Sequence, residues 1–189
     1  MTHELKDSTT VYQGRFINVR LDRVEIGTVI VEREVVEETS EGVLVVPVTT
    51  DGKIVLVEQR RHLLGTTFEV PSGAINLGET PHEAAARELR EEAGLEAGHL
   101  ELISTHVNSV HMTGNNYYFI ATDLSTCTAR VECDSDEEFI SVKPFSLSEI
   151  DQLIVKNKVP DIRNRGCIWL AQLRILQGRL IDPDSKAGS

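Results

Sequence analysis

Three glutamates crowd one stretch of the sequence at a spacing that suits metal chemistry. Glu88, Glu91 and Glu92 stand at i, i+3 and i+4, so on a helix their carboxylates lie side by side within an arc of roughly 100°. Like charges at this spacing repel one another, and a divalent cation offsets that repulsion. Clustered hard oxygen ligands suit Mg²⁺ or Mn²⁺, which also bind the phosphate groups of substrates. The residues alone leave a second interpretation open, a solvated acidic helix face supported by Arg87 and Arg90.

The residues around these glutamates predict the helix that presents them. Thr80 is expected at the N-cap, with Pro81 at the first helical position and Glu83 three residues after the cap, which is the pattern of a capping box. The helix is expected to run to about Ala93 and to stop at Gly94. Four small or apolar residues share a face that should pack on a sheet: Ala85, Ala86, Leu89 and Ala93.

Strand patterns dominate the first half of the chain, and helix patterns close it. Alternating or β-branched runs predict strands, including a hairpin turning at Gly27 and a strand at Val43–Val48 that is apolar on both faces. The predicted strands are 16–26, 28–36, 43–48, 54–57, 68–70, 100–110, 117–121 and 139–142, and the predicted closing helices are 147–155 and 161–177. This order predicts an α+β fold. We expect a small antiparallel β segment at residues 1–40, a main domain at 41–180 and a flexible tail at 181–189.

Composition narrows the class of protein. The chain has 189 residues and a formal net charge of −11, from 19 Lys+Arg and 30 Asp+Glu. Nucleic acids and anionic membranes attract basic surfaces, so neither is expected as the main partner. The N-terminus carries no apolar leader, and the three cysteines have neither disulfide nor zinc spacing. We therefore expect a cytoplasmic protein with reduced thiols.

A longer pattern encloses the glutamate cluster. Residues 73–95 follow the spacing Gly-x5-Glu-x7-Arg-Glu-U-x-Glu-Glu-x-Gly-U, where U is a bulky aliphatic residue. This spacing resembles the Nudix box, and every specified position is matched: Gly73, Glu79, Arg87, Glu88, Leu89, Glu91, Glu92, Gly94 and Leu95. The resemblance implies a Nudix α/β/α sandwich with a mixed sheet, preceded here by the N-terminal β segment.

The resemblance also implies a reaction and a set of metal ligands. Nudix enzymes hydrolyse a nucleoside diphosphate linked to another group, with divalent ions bridging the pyrophosphate while water attacks phosphorus. By analogy Glu88 and Glu92 are the main metal ligands, and Glu91 contributes directly or through water. The backbone carbonyl of Ser72 is a further expected ligand. The expected ion is Mg²⁺, with Mn²⁺ as the alternative.

Two further residues of the box are expected to support the ligands. The resemblance implies that Arg87 orients a glutamate of the cluster, and its i,i+4 relation to Glu83 and Glu91 allows an ion pair with either. Glu79 is expected to support the loop or the metal site from behind the ligands.

Within the superfamily, three segments resemble the ADP-ribose pyrophosphatase and nucleotide-sugar hydrolase branch. They are the N-terminal segment with Tyr12-Gln13-Gly14 and 19–22, the pair 55–61 and 68–73, and the ending 119–124. In that branch the N-terminal strands help to form a homodimer. Arg61 matches the arginine expected to contact a substrate phosphate, although a surface charge is the alternative. Glu69 is expected to be either structural or a contact to the base.

The branch often carries its general base on a loop outside the box. The acidic loop 134–138 lies where that loop belongs, and Glu138 is the expected base, with Glu137 and Asp136 as its neighbours. A solvated charged loop is the alternative interpretation.

One segment departs from the branch and leaves the substrate open. ADP-ribose hydrolases commonly carry a proline about 15 residues after the box, and residues 108–116 contain none. His111, Asn115 and Asn116 are candidates for contacting a sugar or a base, or else are loop residues satisfied locally. The expected activity is hydrolysis of ADP-ribose or a related nucleotide sugar. The alternatives are hydrolysis of dinucleoside polyphosphates or oxidised nucleotides, and a sensor that binds such ligands without turnover.

Overall fold

The computed structural model describes residues 2–127 and 138–178. In chain order these residues form β1 (His3–Gln13), β2 (Ile17–Ile26), β3 (Val29–Glu38), β4 (Gly42–Pro47), β5 (Ile54–Arg61), β6 (Gly65–Glu69), β7 (Ser72–Ala74), α1 (Pro81–Ala93), β8 (Leu95–Val107), β9 (Met112–Thr113), β10 (Asn115–Thr126), β11 (Glu138–Phe145), α2 (Leu147–Val155) and α3 (Ile162–Leu176). The chain divides into two compact units, one built from residues up to 42 with 105–116, and the other from 43–104 with the residues after 116.

The first unit is a four-stranded sheet in the order β1-β2-β3-β9. Strands β1, β2 and β3 pair antiparallel, whereas β3 pairs parallel with β9, so this sheet is mixed. The hairpin predicted at Gly27 is present, because Ile26 pairs with Val29 and Gly27 adopts a φ of 67°. Strand β1 was not among the predicted strands. All eleven of its residues are exposed, so it carries no buried apolar face that periodicity could reveal.

The second unit places helices on both faces of its strands. It contains the sheets β7-β4-β10-β8 and β11-β5-β6. Successive side chains of a strand point to opposite faces, and β4 shows this directly. Val43 and Val45 pack with the α1 residues of one buried cluster, whereas Leu44 and Val46 pack with the α2 and α3 residues of the other. The predicted α/β/α sandwich is therefore confirmed, and so is the burial of this strand on both faces.

Helix α1 forms as its terminal residues predict. Thr80 is the N-cap, and its hydroxyl accepts the backbone N–H of Glu83 while the Glu83 carboxylate accepts the N–H of Thr80. Gly94 ends the helix at a φ of 64° and donates its N–H to the carbonyl of Arg90. The face that packs on the sheet is centred on Ala84, Ala85 and Leu89, so Ala84 replaces the predicted Ala86, which is only half-buried.

The remaining element boundaries shift by a few residues from the predicted ones. Strand β8 begins at Leu95, directly after α1, rather than at residue 100, and β10 extends to Thr126. Helices α2 and α3 lie where they were predicted. None of the helices in the described part of the chain is both long enough and apolar enough to cross a membrane.

The capping box gives a prediction about stability. Replacing Thr80 with Ala removes the hydroxyl that accepts the Glu83 N–H, so the free energy of unfolding should fall by about 1 kcal/mol. Thr80→Ser keeps a hydroxyl at the same place and should lose less than half of that amount. Urea denaturation of the three proteins measures the difference, and equal stability of the Ala and Ser variants would contradict the prediction.

Candidate active site

The side chain of Arg87 connects the glutamates of α1 to the residues of the Nudix box that precede this helix. Its Nε and Nη2 donate to the two carboxylate oxygens of Glu79 at 2.8 and 3.0 Å, and Nη2 also donates to the carbonyl of Ala74 at 2.8 Å. Its Nη1 donates to Glu88 at 2.6 Å and to Glu91 at 2.9 Å. The expectation that Arg87 orients the cluster remains a prediction, and these bonds supply its geometry. The ion pair forms with Glu91, whereas Glu83 is engaged in the capping box.

These hydrogen bonds raise the pKa of Arg87 and lower the pKa of Glu79, so both groups favour their charged forms. The hydrogen bonds to Glu79 raise the pKa of Arg87 above its already high ordinary value, and those to Glu88 and Glu91 add to this, although burial opposes it. The hydrogen bond from Arg87 lowers the pKa of Glu79, and the backbone N–H of Asn76 lowers it further against the opposing effect of burial. Both groups are therefore charged at neutral pH.

Glu88 and Glu92 are drawn onto the strand that precedes the loop. Their residues are only 7% and 6% exposed. Oε2 of Glu92 accepts the backbone N–H of Ser72 at 2.8 Å. The Glu88 carboxylate lies against Gly73, where a Cβ atom would overlap Oε1 and stand 2.8 Å from Oε2. A side chain at residue 73 would therefore displace the end of the Glu88 side chain from its place beside Arg87.

The charges and the donor atoms of this group fit a divalent cation. Glu79, Glu88, Glu91 and Glu92 carry four negative charges and Arg87 one positive charge, so these five side chains together carry −3. Partly buried carboxylates at this density favour a bound cation, and their oxygens are the hard donors that Mg²⁺ and Mn²⁺ prefer.

The bonds to Arg87 and Ser72 set a condition on that binding. In the part of the chain that the structure describes, no three Asp, Glu, His or Cys side chains are already placed to hold one ion together. Nη1 of Arg87 donates to Oε1 of Glu88 and to Oε2 of Glu91, so an ion at this site would share both carboxylates with the guanidinium. A neighbouring cavity of about 470 Å³ does not supply the site, because Glu79 and Arg87 line it but Glu88, Glu91 and Glu92 do not.

A second polar group lies on the hairpin of β5 and β6. Arg61 donates from Nε and Nη2 to the two carboxylate oxygens of Glu69, at 3.0 and 2.8 Å, and Thr67 donates to the same carboxylate at 2.7 Å. Glu69 is 5% exposed and Thr67 is 1% exposed. The Arg61–Glu69 pair is therefore held by the hydroxyl group of a buried residue. The sequence alone did not predict that Glu69 fixes the guanidinium of Arg61. The register of the hairpin indicates this contact, because Arg61 pairs with Gly65 and alternate residues of β6 lie on the same face of the sheet.

The residues after the box are largely satisfied within the first unit. Asn115 donates to Glu41 at 2.6 Å, and Asn116 donates to Asn108 at 2.9 Å. Both asparagines begin β10 rather than lying in a loop, and the partner of Asn115 is distant in the sequence. Their contact with a sugar or a base stays a prediction. The carbonyl of His111 accepts the N–H of Val36 at 2.9 Å, which fixes its backbone and leaves its predicted substrate contact untested.

The expected general base is described only in part. The backbone of Glu138 pairs with Arg60 at the start of β11. The side chain of Glu138 and the acidic residues 134–137 lie outside the described part of the chain. Glu138 therefore stays a prediction from the sequence.

The chain is similar to known proteins over most of its length. The family model of the NUDIX domain matches residues 38–164. The chain is 30% identical over 166 residues to an ADP-ribose pyrophosphatase of Bacillus subtilis, covering 87% of this chain and 89% of that protein. It is 41% identical over 160 residues to an ADP-ribose pyrophosphatase of Mycobacterium tuberculosis, covering 82% and 76%.

A solved structure shares the fold over nearly the whole chain. The crystal structure of an ADP compounds hydrolase superposes with a TM-score of 0.81 at 23% identity, covering 95% of this chain and 97% of that one. The family model spans more than half of the sequence, and its range includes residues 73–95. The chain therefore belongs to the Nudix family.

Proposed function

We propose that this protein is a metal-dependent pyrophosphohydrolase that cleaves ADP-ribose, or a related nucleotide sugar, to a nucleoside monophosphate and a sugar phosphate. The observation that carries the proposal is the pair of buried carboxylates, Glu88 and Glu92, held against the backbone of Ser72 and Gly73. The similarity to two ADP-ribose pyrophosphatases supports the choice of substrate class.

Four groups are assigned to the metal site. Glu88 and Glu92 would hold a divalent ion together with the carbonyl of Ser72, and Glu91 would contribute directly or through water. Hydrolases of this family generally need such an ion, and Mg²⁺ is the proposed one, with Mn²⁺ as a substitute. When bound, it neutralises the charge of the pyrophosphate and lowers the pKa of a coordinated water.

The remaining residues bind the substrate and move a proton. Arg61, pre-oriented by Glu69, would donate to a phosphate oxygen of the substrate, which makes Glu69 a positioning residue. Glu138 would accept a proton from the attacking water, whose oxygen bonds to phosphorus as the P–O bond of the anhydride breaks. Arg87 would orient Glu88 and Glu91 through the hydrogen bonds from its Nη1. His111 is retained as a candidate contact to the sugar or the base.

The substrate class is tested by product analysis on a defined panel. The panel holds ADP-ribose, ADP-glucose, GDP-mannose, NADH, diadenosine polyphosphates and 8-oxo-dGDP, each with and without Mg²⁺ or Mn²⁺. We expect metal-dependent release of AMP and ribose 5-phosphate from ADP-ribose, resolved by chromatography. Faster cleavage of a dinucleoside polyphosphate or an oxidised nucleotide would move the assignment to that class. Binding without turnover of any compound would make the protein a sensor.

Two finer statements stay predictions. Homodimerisation through residues 1–40 is supported by large apolar side chains there that are more than half exposed: Leu5, Val11, Tyr12, Phe16 and Val29. Action in the cytoplasm rests on the composition of the sequence alone.

Removing one charge from the metal site should abolish most turnover. Glu92→Gln keeps the size of the side chain and an acceptor for the Ser72 N–H, but it removes an anionic ligand. We expect kcat to fall by more than about a hundredfold with the circular dichroism spectrum unchanged. Glu96→Gln, an exposed glutamate just after α1, serves as the matched control and should stay within about twofold of the wild type. Full activity of Glu92→Gln would remove Glu92 from the ligand set.

The close approach at Gly73 gives a second test. The added methyl group of Gly73→Ala would occupy the space of the Glu88 carboxylate, so Glu88 must move away from its place beside Arg87. Turnover should fall by about a hundredfold. Gly166→Ala on α3 is the control, because a Cβ there meets Tyr118 only at 3.8 Å, an ordinary contact distance. Steady-state kinetics decides the matter, and equal activity of both variants would refute the constraint.

A further inference from the structure

Three consecutive residues before the box are each held by a different element. The N–H of Val70 donates to the side-chain Oδ1 of Asn164 on α3 at 2.7 Å. The carbonyl of Pro71 accepts the N–H of Val45 on β4 at 2.9 Å. The N–H of Ser72 donates to Glu92 on α1 at 2.8 Å. The segment that places the Ser72 backbone at the proposed metal site is thus held by hydrogen bonds to three elements, α3, β4 and α1.

Asn164 is built into the interior rather than placed on the surface. It is 1% exposed, on a helix that is otherwise buried through Cys167, Ile168 and Ala171. It lies one turn after Asp161, the N-cap of α3. Asp161 accepts the N–H of Arg163 at 2.8 Å and pairs with the guanidinium of that arginine at 2.8 Å. The acceptor for Val70 therefore comes from a buried side chain in the first turn of α3.

The chemistry of the segment explains why a side chain is needed at this point. Val70 is fully buried, and its N–H lies at the end of β6, where the ladder with β5 stops at Glu69. A buried N–H without an acceptor is costly, and Pro71 has no N–H that could donate in its place. The acceptor comes from residue 164, which is 94 positions away in the sequence.

We propose that Asn164 is a positioning residue for the metal site, holding the Val70–Ser72 segment so that the Ser72 carbonyl and Glu92 meet the same ion. This inference rests on the proposed function, since it assigns a new residue to the support of that site. Asn164 touches neither the substrate nor the ion. It acts through two peptide bonds, from the N–H of Val70 to the backbone of Ser72.

The test measures metal binding without turnover. Mn²⁺ is titrated into the full chain, and free Mn²⁺ is followed by electron paramagnetic resonance. Asn164→Leu removes the acceptor while keeping the number and branching of the side-chain heavy atoms, so Mn²⁺ should bind about tenfold more weakly and kcat should fall by about the same factor, with KM for ADP-ribose changed by less than about twofold. Asn164→Asp keeps an acceptor for Val70 and should bind Mn²⁺ as the wild type does, even if its negative charge, one turn after Asp161, lowers the Tm.

A matched variant separates positioning from stability. Gln172→Leu makes a similar polar-to-apolar change on α3, where Gln172 donates to Asp151 on α2 at 3.2 Å. It should leave Mn²⁺ binding unchanged. If Asn164→Leu does not fold, Asn164→Ser takes its place, because the shorter hydroxyl cannot span the contact to Val70 without a shift; a several-fold loss of Mn²⁺ affinity is expected.

The outcomes distinguish the two proposals. A lower Tm with unchanged Mn²⁺ affinity in Asn164→Leu, or in Asn164→Ser where that variant replaces it, would overturn the positioning role and leave the proposed function standing. Failure of the wild type to bind Mn²⁺ would overturn both, whereas Mn²⁺ binding without cleavage of any compound of the panel would overturn the proposed function alone. Weak binding by Asn164→Leu together with near-normal binding by Asn164→Asp is the expected result.

Discussion

The guanidinium of Arg87 is the interaction on which the site depends. Four carboxylates that would repel one another are brought to one end of α1, and Arg87 donates to three of them and to the carbonyl of Ala74. A planar group with five donors can do this, whereas a lysine ammonium could not satisfy the same geometry. Because Glu79 belongs to the loop and Glu88 to the helix, the same side chain also sets the distance between these two parts of the box.

The packing of the second unit fixes the direction in which this group faces. Ala84 and Ala85 let α1 approach the sheet closely, and Leu89 anchors the helix between Val43 and Phe119 in one buried cluster. Glu88 and Glu92 flank that apolar face, so they are carried into the interior by the burial of their neighbours. The cost of burying two carboxylates is offset by hydrogen bonds from Arg87 and from the backbone of Ser72.

Local patterns in the sequence were enough to predict this helix and its caps, whereas the long-range contacts could not be predicted from them. Thr80, Glu83 and Gly94 act on residues within one turn, so their roles follow from spacing. The hydrogen bond from Val70 to Asn164 joins residues far apart in the chain, and neither residue type indicates which residue it will contact. The Arg61–Glu69 pair needed the register of the β5–β6 hairpin. Strand β1 escaped prediction because it has no buried face.

The carboxylates of the proposed metal site fall into two groups that differ in the charge of their hydrogen-bond donors. Nη1 of Arg87 donates to Oε1 of Glu88 and to Oε2 of Glu91, so a bound ion would share these two carboxylates with a cation. Glu92 is held from the strand side by a neutral N–H through one oxygen, and a carboxylate can accept a hydrogen bond and ligate a cation at the same time. A bound ion would thus share Glu92 with a neutral donor rather than with a second cation. In the proposed site the backbone of Ser72 would therefore act twice, through the N–H that holds Glu92 and through the carbonyl that is assigned to the ion.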